Sequence, residues 1–259
     1  MRGLMCFLSA GAVLCAQGVS AQVQPHKAEY TLRLGAAANA PRIGTAVQEL
    51  TQGCDGWYLK RNVKGEVPIS TALKFNVAST LDSEEQRSGD FLHYRSLQAQ
   101  NGAQREVHGR VQRWGEGMRA DIVSPEGTVQ IVLPSPTLMP VASINHIIDR
   151  LRAGATAFPT LTFDAQVIGD AFRIDVARID DNALRRRPPA DKPMAVPGRS
   201  WPVLMSFRRG NALGQKPLFA FSARLFESGV LDHVTVDADV VTVTADLQAL
   251  EMRRSPNCR

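Results

Sequence analysis

From His26 onward the chain is dominated by a repeat of two. Ala28, Tyr30, Leu32 and Leu34 fall on one face of the first stretch, and Lys27, Glu29, Thr31 and Arg33 on the other. That alternation predicts a strand with one buried side. Ile43 to Leu50 reads as a second strand. Gly53-Cys54-Asp55-Gly56 reads as a turn, after which Trp57-Tyr58-Leu59 restarts the extended pattern. Phe75 to Leu81, Phe91 to Leu97, Glu106 to Trp114, Met118 to Ser124 and Thr128 to Leu133 continue it. Between them lie the charged stretch Asp82 to Asp90, the tight-turn pair Asn101-Gly102, and Pro125-Glu126-Gly127.

The period then changes. Pro134 to Pro140 is irregular, and Val141 to Arg152 follows with Ile144, Ile147, Ile148 and Leu151 on one helical stripe. Ser143 is placed as its N-cap and Gly154 as its stop. Strands resume over Leu161 to Ile168 and Ala171 to Ile179, joined by the turn Gly169-Asp170. Trp201 to Phe207, Phe219 to Glu227, Leu231 to Asp237, Asp239 to Thr244 and Leu247 to Arg253 complete the set. Asp180 to Gly198, with Arg185-Arg186-Arg187 and four prolines, reads as a long exposed loop. No β-α-β alternation appears. The expectation is an all-β chain: one antiparallel open barrel or β-spiral of about 12–15 strands with one inserted helix.

The first residues follow a different logic. Arg2 precedes an apolar run from Leu4 to Leu14, and Val19-Ser20-Ala21 supplies small residues ahead of Gln22. This predicts a secretory signal over 1–21 and a single β-spiral domain over 22–259. Cys15 invites a lipoprotein reading, but Leu14 is too bulky to precede a lipidated cysteine. No later stretch has the length and apolarity of a membrane-crossing helix. The chain has 259 residues, 44% hydrophobic and 21% charged, which suits a buried core. The signal carries Arg2 and no acid, so 29 bases face 25 acids in the mature chain, a net charge of +4. That is too mild to argue for nucleic acid. Cys6 and Cys15 leave with the signal. Cys54 and Cys258 remain, and in an oxidising compartment they most simply form one disulfide, two unpaired buried thiols being the alternative.

Nucleophile-elbow, metalloprotease, phosphate-loop and dinucleotide motifs are all missing. The five histidines lie far from one another and from cysteine, so no local metal pair exists and neither a metal nor a cofactor is expected. His146 and Asp149 sit on neighbouring positions of the helix surface and form the nearest approach to a base and its orienting carboxylate. A histidine held by hydrogen bonds where the helix meets the sheet is the favoured reading. Asp237, Asp239 and Asp246 lack the glycine and terminal glutamate of a calcium loop and read as solvent-facing strand positions. The Arg185–Arg187 run reads as a solvated loop. Trp57, Trp114 and Trp201 read as core or cavity lining.

His26-Lys27-Ala28-Glu29-Tyr30-Thr31-Leu32, Gly53-Cys54-Asp55-Gly56-Trp57, Leu133-Pro134, Thr137-Leu138-Met139-Pro140 ahead of a His146-bearing helix, and the terminal Cys258 together resemble the EipB-like cell-envelope integrity family. Met139 stands where that pattern has a larger Phe, and its histidine lies closer to the Thr-Leu-x-Pro segment. The resemblance implies a periplasmic protein of Gram-negative alphaproteobacteria, folded as an open antiparallel barrel wound into a β-spiral. It also implies a Cys54–Cys258 disulfide, a role in keeping the envelope intact under stress, a link to a periplasmic tetratricopeptide-repeat protein, and no catalysis. Trp57, Trp114, Thr137, Leu138, Pro140 and His146 are the candidate ligand or partner surface. Three readings follow. The first is a non-enzymatic integrity factor that works through a protein or envelope partner. The second is a carrier that holds a lipid or lipoprotein acyl chain in a cavity lined by residues such as Phe75, Trp114 or Ile147. The third is a hydrolase using His146.

Overall fold

The computed structural model describes residues 23–258, apart from 69–73, 166–170, 189–193, 211–215 and 239–240. The expected signal, the Gly169-Asp170 turn and Asp239 lie outside the described residues. Fourteen strands appear: β1 (His26–Leu34), β2 (Arg42–Gln52), β3 (Gly56–Pro68), β4 (Lys74–Gln86), β5 (Phe91–Gln100), β6 (Ala103–Trp114), β7 (Gly117–Ser124), β8 (Gly127–Leu133), β9 (Ala157–Phe163), β10 (Ala171–Arg178), β11 (Ser200–Arg209), β12 (Phe219–Phe226), β13 (Leu231–Asp237) and β14 (Thr242–Met252). The helix α1 (Pro140–Arg152) separates β8 from β9, and a short 3-10 turn covers Asp181–Ala183.

All fourteen strands join one antiparallel sheet in the order β8-β7-β6-β5-β4-β3-β2-β1-β14-β13-β12-β11-β10-β9. Every neighbour is a sequence neighbour except one pair, β1 and β14. The two ends of the chain therefore meet in the middle of the sheet, and the sheet's free edges are β8 and β9. A twisted sheet of this width curls. Tyr94 on β5 and Phe163 on β9 are ten strands apart in the order, yet their ring centroids lie 5.6 Å apart. The sheet has wound round far enough to enclose an interior.

The period of two places the core. Leu50 faces Leu59, Leu92 faces Val111, Val111 faces Ala120 and Met118 faces Leu133. On the other arm Trp201 faces Leu225 and Val203 faces Ala223. All are buried in the same cluster, except that Ala223 is simply buried, and Ile147, Ile148 and Leu151 of α1 fill the space between the arms. A smaller cluster of Ala28, Tyr30, Phe226, Val230 and Leu247 packs at the β1–β14 seam.

Several boundaries differ from expectation. β4 runs on to Gln86, so most of the charged stretch after Leu81 is strand and only Arg87–Asp90 turns. The two expected strands around Asp246 are one strand, β14, whose register against β1 slips between Glu29 and Tyr30. A bulge of this kind shifts the alternation by one and imitates a break. At Asn101-Gly102 both residues have positive φ, 48° and 87°, as the tight hairpin requires.

Candidate functional site

The region singled out by the sequence converges on α1 and its approach. Thr137 is buried; its Oγ1 donates to Pro134 O at 2.6 Å and its N–H to the same oxygen at 2.9 Å. Leu138 then lies parallel to β9. Its N–H donates to Leu161 O and its carbonyl accepts from Phe163 N–H, each at 2.9 Å. This short bridge covers part of the free edge of β9. Met139 is fully buried and occupies the N-cap position, and Pro140 opens the helix. Proline suits that place because its missing N–H would have had no helical partner.

Ser143 is not the N-cap. It lies inside the first turn, buried, with its N–H bonded to Met139 O at 2.8 Å. The anion at the helix start comes instead from β4. Glu85 accepts from Val141 N–H at 2.7 Å and from Ala142 N–H at 2.8 Å. Two of the orphan amides of α1 are thereby satisfied by a carboxylate at the positive end of the helix. Glu85 is nonetheless buried, and desolvation raises its pKa to about 7 against the pull of those two amides. At the other end Gly154, with φ +90°, ends the helix as expected.

His146 is exposed and stands edge-on to Phe158, ring centroids 6.3 Å apart. Arg150 lies over the same ring at 5.3 Å, so these two helix residues clasp a side chain of β9. Asp149 is within 3.7 Å of Arg152. His146 does meet the sheet, but through this edge-to-face ring contact, and its ring makes none of the expected hydrogen bonds among the described residues.

A half-enclosed pocket beside α1 is small, about 70 Å³. It lies among Leu50, Leu59, Val141 and Ile144, with the polar groups His26, Gln48 and Arg61 at its wall. None of Phe75, Trp114 or Ile147 lines it. His26 is buried and burial lowers its pKa. Its Nδ1 sits 2.7 Å from Gln24 O, which only accepts, so Nδ1 carries the proton. Its Nε2 is then an acceptor with no partner among the described residues. The main chain of Val23 is tied to the helix, its N–H donating to Asn145 Oδ1 at 2.8 Å.

Cys54 and Cys258 are bonded, with Cα atoms 5.4 Å apart and a sequence separation of 204. The bridge ties the β2–β3 turn to the tail that follows β14. Gly56 must be glycine there, since a Cβ would lie 2.2 Å from Glu85 O on β4. Trp57, next in line, is buried in the core with Trp201, which removes it from the candidate surface. Trp114 is the opposite case. It was expected inside, yet it is 58% exposed at the end of β6, with the Arg119 guanidinium 4.1 Å from its ring. Of the six candidate surface residues, Trp114 and His146 face solvent, Leu138 and Pro140 are half-buried, and Thr137 and Trp57 are inside.

The arginine run is not a solvated loop. Arg185 pairs with Asp246 and Arg187 with Asp232, and all four side chains are nearly or fully buried. Arg187 also donates to Leu247 O at 2.9 Å, and Asp232 accepts from the N–H groups of His233 (2.8 Å) and Leu247 (3.0 Å). Only Arg186 is exposed. Asp237 is exposed as expected, but Asp246 is fully buried, because the segment after β10 returns across β13 and β14.

Among the described residues no group of three or more His, Cys, Asp or Glu is placed to hold a metal, and no helix is long and apolar enough to cross a membrane. No curated protein matches the chain. A solved structure, the beta-barrel-like protein of domain of unknown function DUF1849 from Brucella abortus, is similar to it with a TM-score of 0.75 and 17% identity, over 90% of this chain and 100% of that one. The likeness is one of fold. The EipB-like family model matches residues 17–254, nearly the whole sequence, and the chain belongs to the EipB-like family.

Proposed function

We propose that the protein is a non-enzymatic periplasmic factor that maintains the cell envelope by binding a protein or envelope partner on its outer surface. The observation that carries this reading is that the protein fills its own interior. The stripe Ile147, Ile148 and Leu151 of α1 occupies the space between the arms, and the pocket beside it holds only about 70 Å³; the larger hollows, about 430 Å³ over β2–β5 and about 370 Å³ over β9–β11, are open surface grooves. Small-molecule sites have about 300–1,000 Å³. Family membership and the disulfide agree with an exported protein of this kind. A periplasmic tetratricopeptide-repeat protein is the partner the resemblance suggests.

The test is complementation. A strain lacking the protein is expected to be detergent-sensitive, and His146→Ala is expected to restore resistance fully. Full rescue by a well-folded His146→Ala protein disposes of the hydrolase, and a null strain with unchanged detergent resistance contradicts the reading. Crosslinking from a photoreactive residue at position 114 is expected to capture a protein or an envelope component.

A carrier of lipid or lipoprotein acyl chains is the second reading. It stands on one observation: Phe207 stacks on Phe219 (4.5 Å) and Phe221 (5.4 Å), and these half-buried rings, two of them packed on the core, carry apolar surface out toward solvent. An apolar chain fits such a surface better than a polar partner does.

A further inference from the structure

The two free edges of the sheet are treated differently. β9 carries Pro159, which has no N–H to offer, and is bridged by Leu138. β8 has neither device. Its seven residues, Gly127 to Leu133, hold no charge and no proline. Val129 is 50% exposed and Val132 76% exposed. Proteins normally blunt such an edge with lysine, proline or a cover, because a bare edge templates further pairing.

The free hydrogen-bonding groups can be assigned. The β7–β8 hairpin closes on the pair Ser124 and Gly127, with Ile122 facing Val129 and Ala120 facing Ile131. In antiparallel alternation, the main-chain groups of Gly127, Val129 and Ile131 point to β7. Those of Thr128, Gln130 and Val132 point outward, and no described segment pairs with them.

We infer that β8 is a self-association edge, and that its occupant is β8 of a second copy of this chain, antiparallel about a two-fold axis at Gln130. The strand is self-complementary in this register. Gln130 meets its own copy, Thr128 meets the other copy's Val132, and Val129 meets the other copy's Ile131. The three outward residues of each copy then exchange about six main-chain hydrogen bonds. Both exposed valines gain an apolar or methyl-bearing neighbour. No charge is brought opposite a like charge, because β8 has none. The nearest charged side chains are Glu126, in the turn just before β8 and paired with Arg105, and Arg119 and Asp121, one strand back on β7; Asp121 is held by Arg110 and Gln130. A charged or proline-bearing foreign strand would lose these matches. A junction of this length falls below the about 1,000 Å² of a stable interface, so association is reversible and depends on concentration.

Sedimentation of the mature protein over a wide concentration range tests this, with its sequence variants alongside. The apparent mass is expected to rise toward twofold. Gln130→Pro is expected to stay monomeric, while Gln130→Ala, which loses the same side-chain hydrogen bond to Asp121 but keeps the outward N–H, is expected to associate as the wild type does. The proline removes an N–H that faces away from β7 and leaves the β7–β8 ladder intact. Gln130→Cys is expected to crosslink rapidly to itself on oxidation. The Cα atoms of a hydrogen-bonded antiparallel pair are about 5.5 Å apart, within the about 4.4–6.8 Å that a disulfide spans. Lys60→Cys, exposed on β3 far from the edge, is the control. A wild type monomeric at every concentration overturns the proposal, as does Gln130→Cys crosslinking no faster than Lys60→Cys. A monomeric wild type whose β8 is trapped on another protein in the cell overturns it in favour of a foreign strand.

Discussion

Glu85 shows how one residue carries opposing demands. The start of α1 wants an anion, and burial opposes ionisation. With a folded pKa raised from 4.5 to about 7, the native state holds a proton that the unfolded chain has already released across that interval. The unfolded state binds fewer protons there, so stability falls as pH rises and the loss is complete above the folded pKa. We expect the melting temperature to decline from about pH 5 to about pH 8, by the equivalent of on the order of 3 kcal/mol at most. Glu85→Gln is expected to flatten that slope. Parallel pH profiles for the two proteins would exclude Glu85 as its source. The buried ion pairs make a second contrast. Asp246→Ala leaves Arg185 buried and unpaired and is expected to cost about 3–5 kcal/mol in urea unfolding. Arg186→Ala, one residue along the same run and exposed, is expected to change stability by less than about 0.5 kcal/mol. Composition alone makes these arginines look alike, because burial depends on where the loop lands. Parity did carry a signal at Glu85 and His26: each falls on the same face as buried neighbours, Leu81 for one and Ala28 for the other. Charge density hid the first, and its place at the strand's start hid the second.

At the scale of elements, the period of two and the period of 3.6 located most strands and the helix, since each element buries one face. What they missed is non-local. The cap of α1 lies 56 residues upstream of Val141, and no pattern within the helix reveals it. Ser143 has the right chemistry for a cap and sits in the right neighbourhood, yet Pro140 starts the helix three residues earlier. The bulge in β14 made one strand look like two. The helix also has an energetic role, because its stripe replaces what an open lumen would leave to water. Ile148, fully buried between the arms, is expected to cost about 2–5 kcal/mol when changed to Ala. A loss below 1 kcal/mol, measured by denaturant titration, would show that α1 docks only loosely.

For the whole molecule the decisive contact is β1 against β14. It brings the chain's extremities to the centre of the sheet and leaves the edges to the middle of the sequence. No local pattern announces that pairing; the two cysteines point only to the first hairpins lying near the last strand, and the strand order is not legible in the sequence. Constraint of so long a loop is worth up to about 5 kcal/mol in the chain-entropy treatment. Cys54→Ser is therefore expected to lower the melting temperature, and the exported protein should change mobility between reducing and non-reducing gels. Equal mobility, with both thiols open to alkylation after denaturation, would refute the bridge in the cell.

The most direct test of a filled interior is native mass spectrometry of protein purified from the envelope compartment without detergent. The account predicts subunits with the mass of residues 22–259 less two hydrogens, as monomer or dimer, and nothing else bound. A constant additional mass of lipid on each subunit would contradict it and make the protein a carrier.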